Sequence, residues 1–228
     1  MSDKPKSAIE TTSDEVVRWP TSRARDWASA FLDSAGSDAN IIAVIAIGSA
    51  VRPRVPSSDL DMLVICADPS KVTAPRPLEV DLRVYSATDI ESKLATGHDM
   101  LGWAVLFGRI LFQRHSFWDG IVKSWRQRLP LPSSTLARSR AAAAYRRMSS
   151  LLRLGDADAA REQAISYLTH LARAELLERG IYPESRPELP EQLRKIGDYH
   201  LAGRLDRILE GDSADLFETS ELLGPTVT

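Results

Sequence analysis

Two apolar runs set against carboxylates decide what this chain can become. Residues 41–47 read Ile-Ile-Ala-Val-Ile-Ala-Ile and stop at Gly48-Ser49. After nine residues, Asp59-Leu60-Asp61 lead straight into Met62-Leu63-Val64-Ile65-Cys66. A short β-branched run closed by glycine is a buried strand ending in a small-residue turn. The second run is a strand that opens with two carboxylates, and Glu79-Val80-Asp81-Leu82-Arg83-Val84-Tyr85 is a third strand carrying one more.

Successive strand residues point to opposite faces, so Asp59 and Asp61 share one. If the strand bearing Asp81 pairs alongside, three carboxylates crowd together and repel. Hard cations relieve that crowding, and oxygen-only ligands suit Mg²⁺, which keeps waters and takes substrate phosphate oxygens as its remaining ligands. Spacing alone leaves this level with a bland alternative. There, Asp59 is a turn residue after Ser57-Ser58, Asp81 lies on a solvated strand face, and Gly48-Ser49 is a plain turn.

The order of all these elements together resembles the signature of the DNA polymerase β-type nucleotidyltransferase superfamily, most closely the minimal and antibiotic nucleotidyltransferases of bacteria. Arg52 and the run Ser58-Asp59-Leu60-Asp61 match that subgroup, whereas Pro53 stands where a glycine usually follows the arginine. The likeness is specific over residues 40–85, weaker to 115, and architectural beyond. It implies an α+β fold, with a mixed sheet flanked by helices, and Mg²⁺-dependent transfer of an NMP group from an NTP to a hydroxyl acceptor with release of pyrophosphate. Two ions are implied, held by Asp59, Asp61 and Asp81, with ATP as the expected co-substrate. Asp81 completes the ion facing the acceptor and can take its proton. Gly48 lets a phosphate approach the backbone N–H groups, while the Ser49 hydroxyl and the Arg52 guanidinium reach the same phosphates.

Composition narrows the class without naming a partner. The 228 residues are 43% hydrophobic and 26% charged, ordinary for a soluble globular protein. A formal net charge of −2 gives no bulk pull toward nucleic acid or an anionic membrane. No apolar stretch approaches the roughly 20 residues that span a bilayer, and the first residues, Met-Ser-Asp-Lys-Pro-Lys, lack a secretory apolar segment. The expectation is a cytoplasmic enzyme, with self-association left open. The single cysteine, Cys66, reads as a small core residue.

Along the chain, residues 1–20 form an N-terminal extension, in which Ser13 resembles a helix start that Pro20 interrupts. Trp27, Phe31 and Leu32 predict a helix over 21–35. The proline-bearing connection 68–77 is short, which predicts antiparallel pairing of the strands it joins. Ser86 to Asp89 caps a helix to Leu94, residues 100–107 form another, and 108–112 a short closing strand. The nucleotidyltransferase domain is thus placed at 21–115. Segments 116–128, 134–154, 157–179 and 198–210 show helical periodicity, so residues 116–228 are placed as an α-helical bundle that shapes an acceptor pocket, with the active site in the cleft.

Other residues are weaker candidates. Arg138, Arg140, Arg146, Arg147 and Arg153 form a basic band that could guide RNA, but a solvated face paired with acidic residues on the next helix is the better reading. His98, His115, His170 and His200 have no metal-ligand spacing, and Trp103, Trp118 and Trp125 suit packing at the domain junction. Asp99, Glu162 and Glu175 are available as an additional general base, and the sequence selects none. Three readings stay in view: a small-molecule transferase such as one modifying an aminoglycoside, a toxin–antitoxin type enzyme acting on RNA or protein, and a non-catalytic nucleotide-binding module.

Overall fold

The computed structural model describes residues 18–52 and 59–211. The N-terminal stretch through the helix start at Ser13, and the loop residues Pro53, Arg54 and Pro56, lie outside the described residues. Two compact units part after Pro130.

The first unit is built on a four-stranded sheet: β1 (Ile41–Ile47), β2 (Leu60–Cys66), β3 (Val80–Ser86) and β4 (Arg109–Gln113), in the order β3-β2-β1-β4. Strand β1 runs antiparallel to β2 and β4, while β2 and β3 are parallel. The two interior strands are buried at nearly every position, which is why their sequences are continuous apolar runs rather than alternating ones. The parallel pairing overturns the antiparallel expectation for β3. Residues 67–79 are just long enough for a crossover, for which about a dozen residues suffice.

That crossover is tied to helix α1 (Ser22–Ser37). The Trp27 indole N–H donates to the Pro75 carbonyl at 2.7 Å, and the Thr21 hydroxyl donates to Glu79 Oε1 at 2.8 Å. Thr21 also starts the helix, its Oγ1 accepting from the Ala24 N–H at 3.0 Å. Helix α1 packs on β1 and β4, burying Ala24, Ala28 and Ala35. At its far end the Arg114 guanidinium gathers the carbonyls of Ala35, Gly36 and Asp38 through Nη2, at 3.0, 2.9 and 3.2 Å. Its Nε donates to the Ile41 carbonyl at 2.9 Å. One side chain thereby satisfies carbonyls that a helix terminus leaves open.

Helices α2 (Ile90–Ala95), α3 (Asp99–Phe107) and α4 (Phe117–Trp125) complete this unit. Periodicity alone grouped α4 with the C-terminal helices and set the boundary at 115. Instead, Trp118, Ile121 and Trp125 fall on one side of α4 and are buried, and the helix packs on β1, β4 and α3. The division therefore falls beyond α4. Trp103, Trp118 and Trp125 are core residues of the first unit.

The second unit is helical throughout its described part: α5 (Ser134–Arg153), α6 (Ala157–Glu178), α7 (Leu189–Lys195) and α8 (Tyr199–Glu210). A tight link through Gly155 folds α5 against α6, and Asp156 starts α6 by accepting from the Ala159 N–H at 3.1 Å. Met148, Leu168, Leu176, Leu189, Leu193, Leu205 and Ile208 form its core. Periodicity gave no sign of α7, which is short and carries Pro190 in its first turn, where a missing N–H does no harm.

Candidate active site

At one end of the sheet, Ile47, Asp61 and Asp81 stand level on three neighbouring strands. Residues paired in register present their side chains to the same face, so the Asp61 and Asp81 carboxylates emerge side by side. Strand β2 is buried at every position except Asp61, which is half-buried. Two like charges on adjacent strands, about 5 Å apart, repel by about 1–3 kcal/mol at the effective dielectric of a protein surface.

Gly48 closes over the same carboxylate. It follows Ile47 with φ at +74°, and a Cβ built on it would stand 2.5 Å from Asp61 Oδ2. The backbone therefore favours glycine, and a side chain there would push the Asp61 carboxylate aside. Besides leaving a phosphate free to approach, the missing side chain of Gly48 makes room for Asp61. Residues Gly48–Val51 form one 3₁₀ turn, sealed where the Arg52 N–H donates to the Ser49 carbonyl at 3.1 Å. The Arg52 guanidinium lies over the Phe107 ring, 4.8 Å from its centroid, so the last turn of α3 anchors it. Phe107 was not legible as a partner.

Asp59 is exposed and sits just before β2, whose ladder begins where the Leu60 N–H donates to the Glu79 carbonyl at 2.7 Å. On β3, Arg83 lies two residues past Asp81 and so on its face, and Arg83 Nη2 donates to Asp81 Oδ2 at 2.6 Å. Among the described residues, no three or more Asp, Glu, His or Cys side chains stand close enough together to hold an ion. The backbone thus brings Asp61 and Asp81 level, with Asp59 at the mouth of β2, while the Asp81 carboxylate is engaged by Arg83. Arg83 was missed in the sequence, although its period-two spacing from Asp81 was the signal that could have found it.

Several weaker candidates resolve into structural roles. Glu175 and Glu178 accept hydrogen bonds from Arg138 at 2.8 Å and 2.6 Å, which ties one cation of the basic band to the next helix. His98 caps α3, its Nδ1 facing the Leu101 N–H at 3.4 Å, with its ring edge-on to Tyr85. Cys66 is buried in β2, and burial pushes its thiol upward. An open pocket of about 520 Å³ lies beside α1, lined in part by Arg23, Asp26, Trp27 and Arg76.

No family model matches the chain, and no curated protein does. Over 87% of its length, the chain is similar to the crystal structure of a nucleotidyltransferase-like protein from Exiguobacterium sibiricum 255-15, at 21% identity and a TM-score of 0.40, with 73% of that chain covered. A likeness this loose carries no weight for activity or for the site. No helix among the described residues is long and apolar enough to cross a membrane.

Proposed function

We propose that the chain is a nucleotidyltransferase that moves the NMP group of an NTP, with ATP the expected donor, to an acceptor hydroxyl. The observation that carries this reading is the level pair Asp61 and Asp81 on adjacent strands, with Gly48 seated against the Asp61 carboxylate. Asp61 and Asp81, level on adjacent strands, with Asp59 just before the same strand β2, are oxygen donors of the kind a hard, oxygen-seeking cation takes.

Asp59, Asp61 and Asp81 would hold Mg²⁺, as two ions. Bound there, Mg²⁺ would neutralise phosphate charge and favour the departure of pyrophosphate. The turn at Gly48 and Ser49 offers backbone N–H groups and a hydroxyl to the β- and γ-phosphates, and Arg52 offers a guanidinium held in place by Phe107. The acceptor oxygen forms a bond to the α-phosphorus as the bond from that phosphorus to the α,β-bridging oxygen breaks. Pyrophosphate leaves with the electron pair, and the acceptor proton passes to the Asp81 carboxylate.

The test is incubation of the chain with each α-labelled NTP and Mg²⁺, in the presence of an aminoglycoside panel, total RNA or candidate proteins. Label should move to one acceptor class in the wild type and not in Asp61→Asn, whose substitution keeps the shape and removes the charge. Label transfer unchanged in that variant overturns the assignment of Asp61. Saturable NTP binding with no transfer to any acceptor favours the non-catalytic module instead.

A further inference from the structure

We infer that Arg83 is a built-in counter-ion of the carboxylate pair, one that yields Asp81 to a divalent cation and passes its own charge to substrate phosphate. The inference rests on the reading of Asp61 and Asp81 as ion ligands and adds a residue to it. Arg83 reaches Asp81 from two positions along the same strand, on the same face, through a short charge-assisted hydrogen bond of 2.6 Å.

Two facts make the pair exchangeable rather than structural. The side chains are 54% and 38% exposed, so water screens the ion pair and its net strength is small. Strand β3 is also the edge of the sheet, and apart from Val80 its residues are only half-buried or exposed, so the guanidinium can swing along that face without unpacking a core. While Arg83 holds Asp81, it offsets the repulsion between Asp61 and Asp81. A divalent cation does the same more completely and competes with the guanidinium for Asp81, so that the released positive charge then needs a new partner. A polyphosphate brought to the same face supplies one, because guanidinium and phosphate oxygens pair in a fork. Cation and polyphosphate are thereby coupled: each binds better when the other is present. In this scheme Arg83 first positions Asp81 and then contacts the substrate phosphate directly.

Opposite changes in two binding measurements test it on the full chain. Mn²⁺ alone is titrated into wild type, Arg83→Gln and Asp81→Asn, with free ion followed by electron paramagnetic resonance. Removing the competing cation should tighten Mn²⁺ binding in Arg83→Gln by about two- to fivefold, the range given by an exposed ion pair. Asp81→Asn should weaken it. Binding of the Mg²⁺–tripolyphosphate complex, measured by calorimetry, should weaken in Arg83→Gln by about tenfold, the loss of one charge-assisted hydrogen bond. A residue that merely stiffens β3 would shift both affinities the same way, and that outcome overturns the inference alone. If neither wild type nor Arg83→Gln binds Mn²⁺, the ion-ligand reading falls and the inference falls with it. Matched melting curves for the two proteins confirm that the exposed substitution leaves the fold intact.

Discussion

Gly48→Ala isolates the link between the turn and the carboxylate. At φ +74° an L-residue costs about 1–2 kcal/mol. Against this, alanine loses less freedom on folding and recovers about 0.4–1 kcal/mol. The backbone penalty is thus about 1 kcal/mol. The new methyl would stand 2.5 Å from Asp61 Oδ2, well inside contact, so the carboxylate must rotate away. Because only the end of a short side chain moves, the added loss of stability is small, and the total should stay near 1–2 kcal/mol. The functional loss should be far larger, since displacing a reacting geometry by about 1 Å can lower rates about a hundredfold. Gly155→Ala is the control: φ is +78°, but nothing lies within 4 Å of its Cβ, so it carries the backbone penalty alone. Urea denaturation of each unit and α-labelled transfer should show similar stability losses in the two variants and lost transfer only in Gly48→Ala. Full transfer by Gly48→Ala at its reduced stability would refute the claim that glycine is there to seat Asp61.

Two further outcomes test the framework around the site. Arg114→Ala leaves four carbonyl contacts unmade between the end of α1 and the start of β1 and should destabilise the first unit by about 2–4 kcal/mol, with Arg114→Lys restoring little because an ammonium cannot fork; a loss under about 1 kcal/mol in urea melts would show that water replaces it freely. Hydrogen bonds from Arg138 hold the Glu178 carboxyl below its ordinary value, so this pair stabilises the second unit above the unfolded carboxyl value of about 4.3 and loses that effect as pH falls through the lower folded value. The stability difference between wild type and Arg138→Ala should be flat from pH 7 to 5 and shrink in stronger acid; a difference that grows in acid contradicts the assignment.

The interior strands could be read from the sequence because burial on both faces leaves a run such as Ile41–Ile47 no polar position to confuse it. The face shared by Asp61 and Asp81 followed from the period of two, once pairing was assumed. The direction of β3 did not follow, because a link of this length serves a return loop or a crossover. The link is tethered to α1 through Trp27 and Thr21, contacts between residues far apart in sequence that no local pattern announces. The side on which α4 packs was hidden for the same reason: Trp118, Ile121 and Trp125 announce an apolar face without saying what it meets. Near the site, Gly48 was recognised for its conformational freedom, but its contact with Asp61 depends on the register of β1 and β2. Arg83 was overlooked because an arginine on an edge strand reads as an ordinary solvated residue until its distance to Asp81 is known.

The most direct measurement is calorimetric titration of ATP into wild type and Asp61→Asn, with Mg²⁺ and with EDTA. Wild type should bind saturably only when Mg²⁺ is present, and Asp61→Asn should lose that binding while keeping a cooperative melting transition. Equal binding by both proteins, or binding in wild type that ignores Mg²⁺, would contradict the role given to the paired carboxylates.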